Sequence, residues 1–252
     1  MIRMTQLERL GLFDAKVPRY TSYPTAPHFG ADISASDVRN WISEIPRNAQ
    51  ISLYIHIPFC RRLCWFCACR TQGLPNLSPL SGYIARLEKE LALIKSSLPK
   101  EVSLSHLHLG GGTPTILNAG QIKSLMAHVF DTLPLSQNAE ISVEIDPTEV
   151  DEDRVAALAE IGMTRASIGI QDFDPDIQAA IGRLQGFDTT KRAVDLLRSA
   201  GVHSLNADLV YGLPMQTTDR FAETLQKLLS LTLIELRYLG TRMFHGWRDA
   251  RK

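Results

Sequence analysis

Apolar and polar positions change their period repeatedly along this chain. "ISLYIHI" (51–57) is a short apolar run rich in β-branched and aromatic residues, which predicts a strand. Ile84, Leu87, Leu91, Ile94 and Leu98 then recur at helical spacing. "LSHLHLG" (104–110) predicts a second strand, and Ile122, Leu125, Met126 and Val129 a helix after it. "EISVEID" (140–146) predicts a third strand, and residues 151–161 a helix stopped at Gly162. "RASIGIQ" (165–171) gives the fourth strand, followed by helical stretches at 175–183 and 188–200, the latter stopped by Gly201. "SLNADLVYG" (204–212) gives the fifth, with a helix over 218–231. Strands alternating with helices predict right-handed βαβ units around a parallel sheet.

In such a fold the functional site gathers at the C-terminal ends of the strands. The polar and glycine-rich features of this sequence fall on that rim. A cysteine-rich loop, "CRRLCWFCACR" (60–70), follows strand one, and "GGGTPT" (110–115) follows strand two. Glu144 and Asp146 end strand three, Gln171 and Asp172 strand four, and Asp208 with "YGLP" (211–214) strand five.

Composition narrows the reading only modestly. The chain has 252 residues, 44% hydrophobic and 21% charged, with Lys+Arg and Asp+Glu balanced at 27 each. That balance gives no bulk attraction to nucleic acid or an anionic membrane. No apolar run approaches the ~20 residues of a membrane span. The N-terminal "MIRMTQLERLGLFDAK" lacks the apolar stretch of a signal peptide, which points to the cytoplasm. There disulfides are rare, and clustered cysteines more often bind metal or react.

All 4 cysteines of the chain lie in the one loop, spaced C-x3-C-x2-C-x-C. Buried structural cysteines would scatter along the chain. Structural zinc sites usually pair two short cysteine units across an intervening segment, and no second unit is present. An iron–sulfur cluster suits the loop better, because thiolates are its usual ligands. A C-x-C pair is a tight bite, so Cys60, Cys64 and Cys67 are the expected ligands. Cys69 is left over as a candidate for turnover, and one iron is left open.

C-x3-C-x2-C after a first strand resembles the radical S-adenosylmethionine (SAM) superfamily. "YIHIPFC", C-x-F-C-x-C, "HLGGGTPT", "EIDP", "GIQDF", "DLVYGLP" and the N-terminal "PRYTSYPTA" (18–26) resemble oxygen-independent coproporphyrinogen III oxidase. The resemblance runs from about residue 17 to 231. A related haem-chaperone branch shares the cysteine triad and glycine motif but lacks the C-x-C extension and "PRYTSYPT"; that chaperone, or an inactive truncated remnant, is the alternative reading. The resemblance implies an incomplete (β/α) barrel with an N-terminal arm (1–48) and a core at 49–231. It implies a [4Fe–4S] cluster whose open iron is chelated by SAM, and a monomer. The implied reaction converts two propionates of coproporphyrinogen III to vinyl groups, giving protoporphyrinogen IX. It starts from a 5′-deoxyadenosyl radical and needs an electron donor and a final acceptor.

Residue by residue, the resemblance assigns the "GGG" backbone, Gly111 above all, to the methionine part of SAM. Glu144 falls to its ribose hydroxyls, and Tyr54 to the same cofactor. Phe66, Gly112, Thr113, Gln171, Arg183 and Asp208 match positions for a second SAM molecule. On local sequence alone the glycines could be a strand-to-helix turn and Arg183 a helix-surface arginine. Asp208, an acid within an apolar strand, needs a partner. Arg19, beside Tyr20 and Tyr23, is a candidate cation for the carboxylates of the substrate.

The tail, "TLIELRYLGTRMFHGWRDARK" (232–252), departs from the family pattern of T-P-D-R, an apolar strand and G-Y-A-H-V-P. Reverse-translated with one C inserted after an ACC codon for Thr232, it can read TPDRVALFGYAHVPWMARRQK. The expectation is a one-nucleotide change of frame. The family's sixth strand and C-terminal domain would then be missing, and the edge of strand five left unpaired.

Overall fold

The computed structural model describes residues 28–30, 32–233 and 235–240. The chain divides into two compact units, Met1–Trp41 and Ile42–Lys252. What is described of the first leads into helix α1 (Ala35–Ser43). The Ser34 amide donates to Asp37 Oδ2 at 2.7 Å, and Ser34 Oγ accepts from the Asp37 amide at 3.2 Å. This reciprocal cap satisfies donors that a helix start leaves free. Arg19, Tyr20, Tyr23 and the rest of "PRYTSYPTA" lie outside the described residues.

In the second unit β1 (Gln50–Ile57) leads into β2 (Phe59–Cys60), the cysteine loop and β3 (Gln72–Gly73). Helix α2 (Pro79–Ser97) and β4 (Ser103–Gly111) follow, then α3 (Ala119–Thr132), β5 (Leu135–Ile145) and α4 (Glu152–Glu160). Next come β6 (Arg165–Gln171), α5 (Pro175–Ala180), α6 (Phe187–Ser199), β7 (Ser204–Tyr211), α7 (Thr218–Ser230) and β8 (Glu235–Gly240). Among the described residues the main sheet has 6 strands in the order β1-β4-β5-β6-β7-β8, and every neighbouring pair is parallel. β2 and β3 form a separate parallel pair that brackets the cysteine loop.

The helix boundaries follow local chemistry. α3 starts at a capping box: Asn118 Oδ1 accepts the Gln121 amide at 2.9 Å, and the Asn118 amide donates to Gln121 Oε1 at 3.0 Å. Asp151 and Thr217 cap α4 and α7 by the side-chain acceptor alone, taking the Arg154 and Arg220 amides. α5 stops at Ala180, short of the sequence expectation of 183. Gly182 takes φ +70°, a left-handed turn that ends the helix and re-aims the next residue, Arg183.

Parallel sheets are usually apolar on both faces because helices cover both. This sheet alternates. Ile55, Ile57, Leu107, Leu109, Ile141, Val143, Ala166, Ile168, Leu205, Ala207 and Leu209 are buried in one core with residues of α2, α3, α4, α6 and α7. The intervening positions carry polar residues, and the register lines them up in rows. Tyr54 pairs with His108, His108 with Ser142, Ser142 with Arg165, and Arg165 with Ser204. Glu144 pairs with Ser167, Ser167 with Asn206, and Asn206 with Glu235. One face is therefore core and the other a polar wall, which is how an open barrel holds a ligand on its inside.

The tail corrects an expectation. The edge of the fifth expected strand, β7, is not bare: Glu235–Gly240 pairs with it from Asn206↔Glu235 to Tyr211↔Gly240, as a sixth strand. Backbone pairing needs no particular side chains, and alternation supplies the rest. Leu236 packs on the main core, and the Tyr238 ring meets Phe221 edge-on at 6.3 Å. Arg165 pairs with Glu235. Leu233 also packs on the core, while Ile234 lies outside the described residues.

A candidate radical-chemistry site at the C-terminal rim

The cysteine loop leaves β1 and is tied back to the sheet by backbone. The Gln72 amide donates to Pro58 O at 2.8 Å, and the Leu74 amide to Cys60 O at 2.9 Å. A second tie reaches the turn after α5, where the Trp65 amide donates to Ile181 O at 2.9 Å. The four thiols are free; Cys60 and Cys64 are half-buried, Cys67 and Cys69 exposed. Burial pushes the Cys60 thiol above its usual range, and a hydrogen bond from Thr113 Oγ1 at 3.5 Å opposes this. Cys67 is drawn down to about 6, first by the hydrogen bond from Cys69, whose own thiol is pushed up by the same contact.

The "GGG" stretch closes on β2, where this loop begins. The Gly112 amide donates to Ile57 O at 2.8 Å and the Thr113 amide to Phe59 O at 2.9 Å, which sets the end of β4 against β2. A Cβ on Gly112 would stand 2.7 Å from Phe59 O and 2.9 Å from Cys60 Sγ. Gly111 has φ +118°, and a Cβ there would meet the His56 ring at 2.9 Å. Close approach thus requires glycine at both positions.

Beside the glycines, Glu144 Oε2 accepts the Gly111 amide at 3.0 Å, and Oε1 faces His108 Nε2 at 3.5 Å. The Glu144 side chain remains 41% exposed, so lone pairs stay available toward the open face. Tyr54 stacks on His108 at 5.5 Å and shares a 2.9 Å hydrogen bond with His56 Nδ1. Burial, then the charge of Glu144, raises its phenol above the ordinary value.

Across the sheet, Asp208 has both oxygens held. Ser167 Oγ donates to Oδ2 at 2.8 Å and Asn206 Nδ2 to Oδ1 at 2.9 Å. Arg237 of β8 lies 3.9 Å from Oδ1. Gln171 is buried at φ +70°, a strained position that ends β6. Phe66 packs with Leu239 against Ile177, Ile181, Val210 and Leu213. Arg183 does not lie on a helix surface: it is turned inward toward Cys64, Asp146 and Gly169.

Two groups of residues the sequence reading did not single out belong to this rim. His56 and His108 build the wall around Tyr54 and Glu144; their signal was the i, i+2 alternation within "YIHI" and "HLHLG". Ser167 and Asn206 hold Asp208, and strand register alone brings them together. No group of three or more His, Cys, Asp or Glu residues among the described residues gathers closely enough to hold a single metal ion. A cubane cluster spreads its thiolates farther apart than one ion does. Three free cysteines over a glycine ribbon suit that donor set.

Comparison with known proteins agrees with this geometry. The chain is 58% identical over 232 residues to oxygen-independent coproporphyrinogen III oxidase of Paracoccus denitrificans, covering 92% of this chain and 51% of that protein. It is 52% identical over 240 residues to the protein of the same name from Cereibacter sphaeroides, covering 95% and 53%. The solved coproporphyrinogen III oxidase of Escherichia coli superposes with a TM-score of 0.86 at 34% identity, over 93% of this chain and 53% of that one. The chain thus spans about half the length of the relatives it matches. Residues 54–228, from Tyr54 to the last turn of α7, match the radical SAM superfamily, and the chain belongs to that superfamily.

Proposed function

We propose that this chain is the barrel portion of an oxygen-independent coproporphyrinogen III oxidase, which converts two propionates of coproporphyrinogen III to vinyl groups. One observation carries the reading: Cys60, the first cysteine of the C-x3-C-x2-C-x-C loop, lies against Gly112 and Thr113 of the glycine ribbon, within a chain 58% identical to an enzyme of that name. In this reading Cys60, Cys64 and Cys67 hold a [4Fe–4S] cluster, which together with bound SAM supplies one-electron chemistry. Gly111 and Gly112 let the backbone approach the methionine end of SAM, and Glu144 accepts from its ribose hydroxyls, with Tyr54 against the same molecule. In the same reading Phe66, Gly112, Thr113, Gln171, Arg183 and Asp208 would contact a second SAM. Asp208 is held ready by Ser167 and Asn206, so little ordering remains when a ligand arrives. Cys69 sits beside Cys67 as a thiol available to turnover.

The reading places the reaction in the cytoplasm, where the cysteines stay reduced, with the chain acting as a monomer. No described helix is long and apolar enough to cross a membrane. The electron donor and final acceptor are separate partners. We also propose that Thr232–Lys252 arose by a one-nucleotide change of frame, on the strength of the reverse-translated match to the family pattern. The experiment is anaerobic reconstitution with iron and sulfide, followed by product analysis with coproporphyrinogen III, SAM and a reductant. Cluster loading with SAM cleavage and vinyl product supports the reading. Loading without any decarboxylation favours the haem-chaperone branch.

A further inference from the structure

The Arg183 guanidinium is only 13% exposed and nearly saturated with acceptors. Nη2 donates to Gly169 O at 3.0 Å and lies 3.3 Å from Asp146 Oδ2. Nε donates to Gln185 Oε1 at 3.2 Å. Gln185 is itself buried, its amide donating to Gln178 Oε1 at 2.9 Å and its Nε2 to Gly169 O at 3.0 Å. The remaining nitrogen, Nη1, points at Cys64 Sγ at 3.5 Å. The Trp65–Ile181 backbone bond and the left-handed Gly182 hold the cysteine loop against this arginine.

We propose that Arg183 sets the electron affinity of the iron–sulfur cluster through Cys64, and that Asp146 counterbalances it. The proposal rests on the reading that Cys64 ligates a cluster. Adding an electron makes the cluster and its thiolates more negative. An N–H···S hydrogen bond and a nearby positive charge stabilise that state and raise the midpoint potential. The Asp146 carboxylate, paired with the same guanidinium, offsets part of that charge. Arg183 is in this sense a tuning residue: it acts through Cys64 and requires no contact with substrate.

The test is a redox titration of the anaerobically reconstituted chain with dithionite and mediator dyes, the reduced cluster being read by electron paramagnetic resonance. Arg183→Gln is expected to move the midpoint to a more negative potential, and Arg183→Lys by less, because lysine keeps the charge and loses the planar fork. Asp146→Asn keeps the capacity to cap Thr148 and is expected to move the midpoint in the positive direction. These opposite signs separate tuning from damage to the loop, which would lower iron content in both variants alike. If wild type takes up no cluster, the cluster reading itself fails. If wild type is loaded and Arg183→Gln and Asp146→Asn share its midpoint, the proposal is overturned. Should Arg183→Gln lose its cluster, Asp146→Asn decides alone, and an unchanged midpoint there overturns it.

Discussion

The Gly111 amide donates to Glu144 Oε2 at 3.0 Å, joining the end of β4 to the end of β5. The contact uses one lone pair of a half-exposed carboxylate and aims the rest at the open face. Glu144→Gln keeps the shape but removes the charge that would strengthen hydrogen bonds to ribose hydroxyls. A hydrogen bond to a charged group is worth about 1.5–3 kcal/mol, so SAM affinity is expected to fall about tenfold or more with cluster content unchanged. Equilibrium dialysis of SAM against the reconstituted protein measures this. Wild-type affinity in the variant would remove Glu144 from the cofactor's contacts.

Cys60, Cys64 and Cys67 are each expected to be needed for the cluster, whereas Cys69→Ala should keep it. The reason is chelate geometry: losing any one of three ligands opens a corner, while a fourth cysteine two residues on cannot reach a separate iron. Iron and sulfide per chain, with the visible absorbance of the reconstituted variants, distinguish the cases. A Cys67→Ala variant that loads normally while Cys69→Ala does not would reverse the assignment.

The glycines give a prediction that separates fold from site. Gly112→Ala puts a methyl where Phe59 O is 2.7 Å and Cys60 Sγ 2.9 Å away, and the backbone cannot yield cheaply. Cluster content should fall sharply while the far-ultraviolet circular dichroism stays that of wild type. Gly111→Val adds strain at φ +118° and a clash with His56, and should also lower the melting temperature, at a cost of about 1 kcal/mol or more. Normal cluster content in Gly112→Ala would show that β2 can shift without consequence.

The sequence revealed the parts of this molecule whose signals are local. The five strands from Gln50 to Tyr211 announce themselves by apolar runs, and the rim by residues that follow each run. Other features depend on distant register and were not visible. Arg183 is buried only because Gly182 turns left-handed after a short α5. Ser167 and Asn206 meet at Asp208 only through the β6–β7 alignment. The tail's apolar residues can imitate a strand by composition, but its departure from the family pattern predicted a bare β7 edge, and "ELRYLG" alternates well enough to pair there.

Asp172 was legible as an acid at the end of strand four, but its partners were not. It is fully buried, and three donors converge on it: Thr224 Oγ1 at 2.7 Å, Gln216 Nε2 at 2.6 Å and the Asp174 amide at 2.8 Å. Gln216 in turn accepts the Gly212 amide at 2.8 Å, so one carboxylate braces the loop after β7 from the end of β6. Asp172→Ala strands buried donors and should destabilise the fold by about 3 kcal/mol or more. Urea denaturation followed by tryptophan fluorescence tests this, and a change under about 0.5 kcal/mol, the range of ordinary surface substitutions, would contradict it.

The tail provides the last prediction. Among the described residues β8 has one parallel neighbour, β7, and it contributes Leu236 to the core and Leu239 to the smaller apolar cluster with Phe66. A strand paired on one side has half its backbone groups open, so β8 amides should exchange with deuterium faster than those of β7. Leu236→Asp would place a charge against the core and should loosen β8 without unfolding the rest. If Thr232–Lys252 is a frame-changed segment, β8 is a substitute rather than the strand selected for this edge. Restoring the frame by one nucleotide, with the downstream gene, should then slow exchange at β7 and bring decarboxylation of coproporphyrinogen III. The 252-residue chain should load a cluster but yield little or no vinyl product. Both forms are to be purified anaerobically in parallel and compared by hydrogen exchange and product analysis. Equal protection at β7 and equal protoporphyrinogen formation would make "TLIELRYLG" a genuine variant of the sixth strand and end the frame-change proposal.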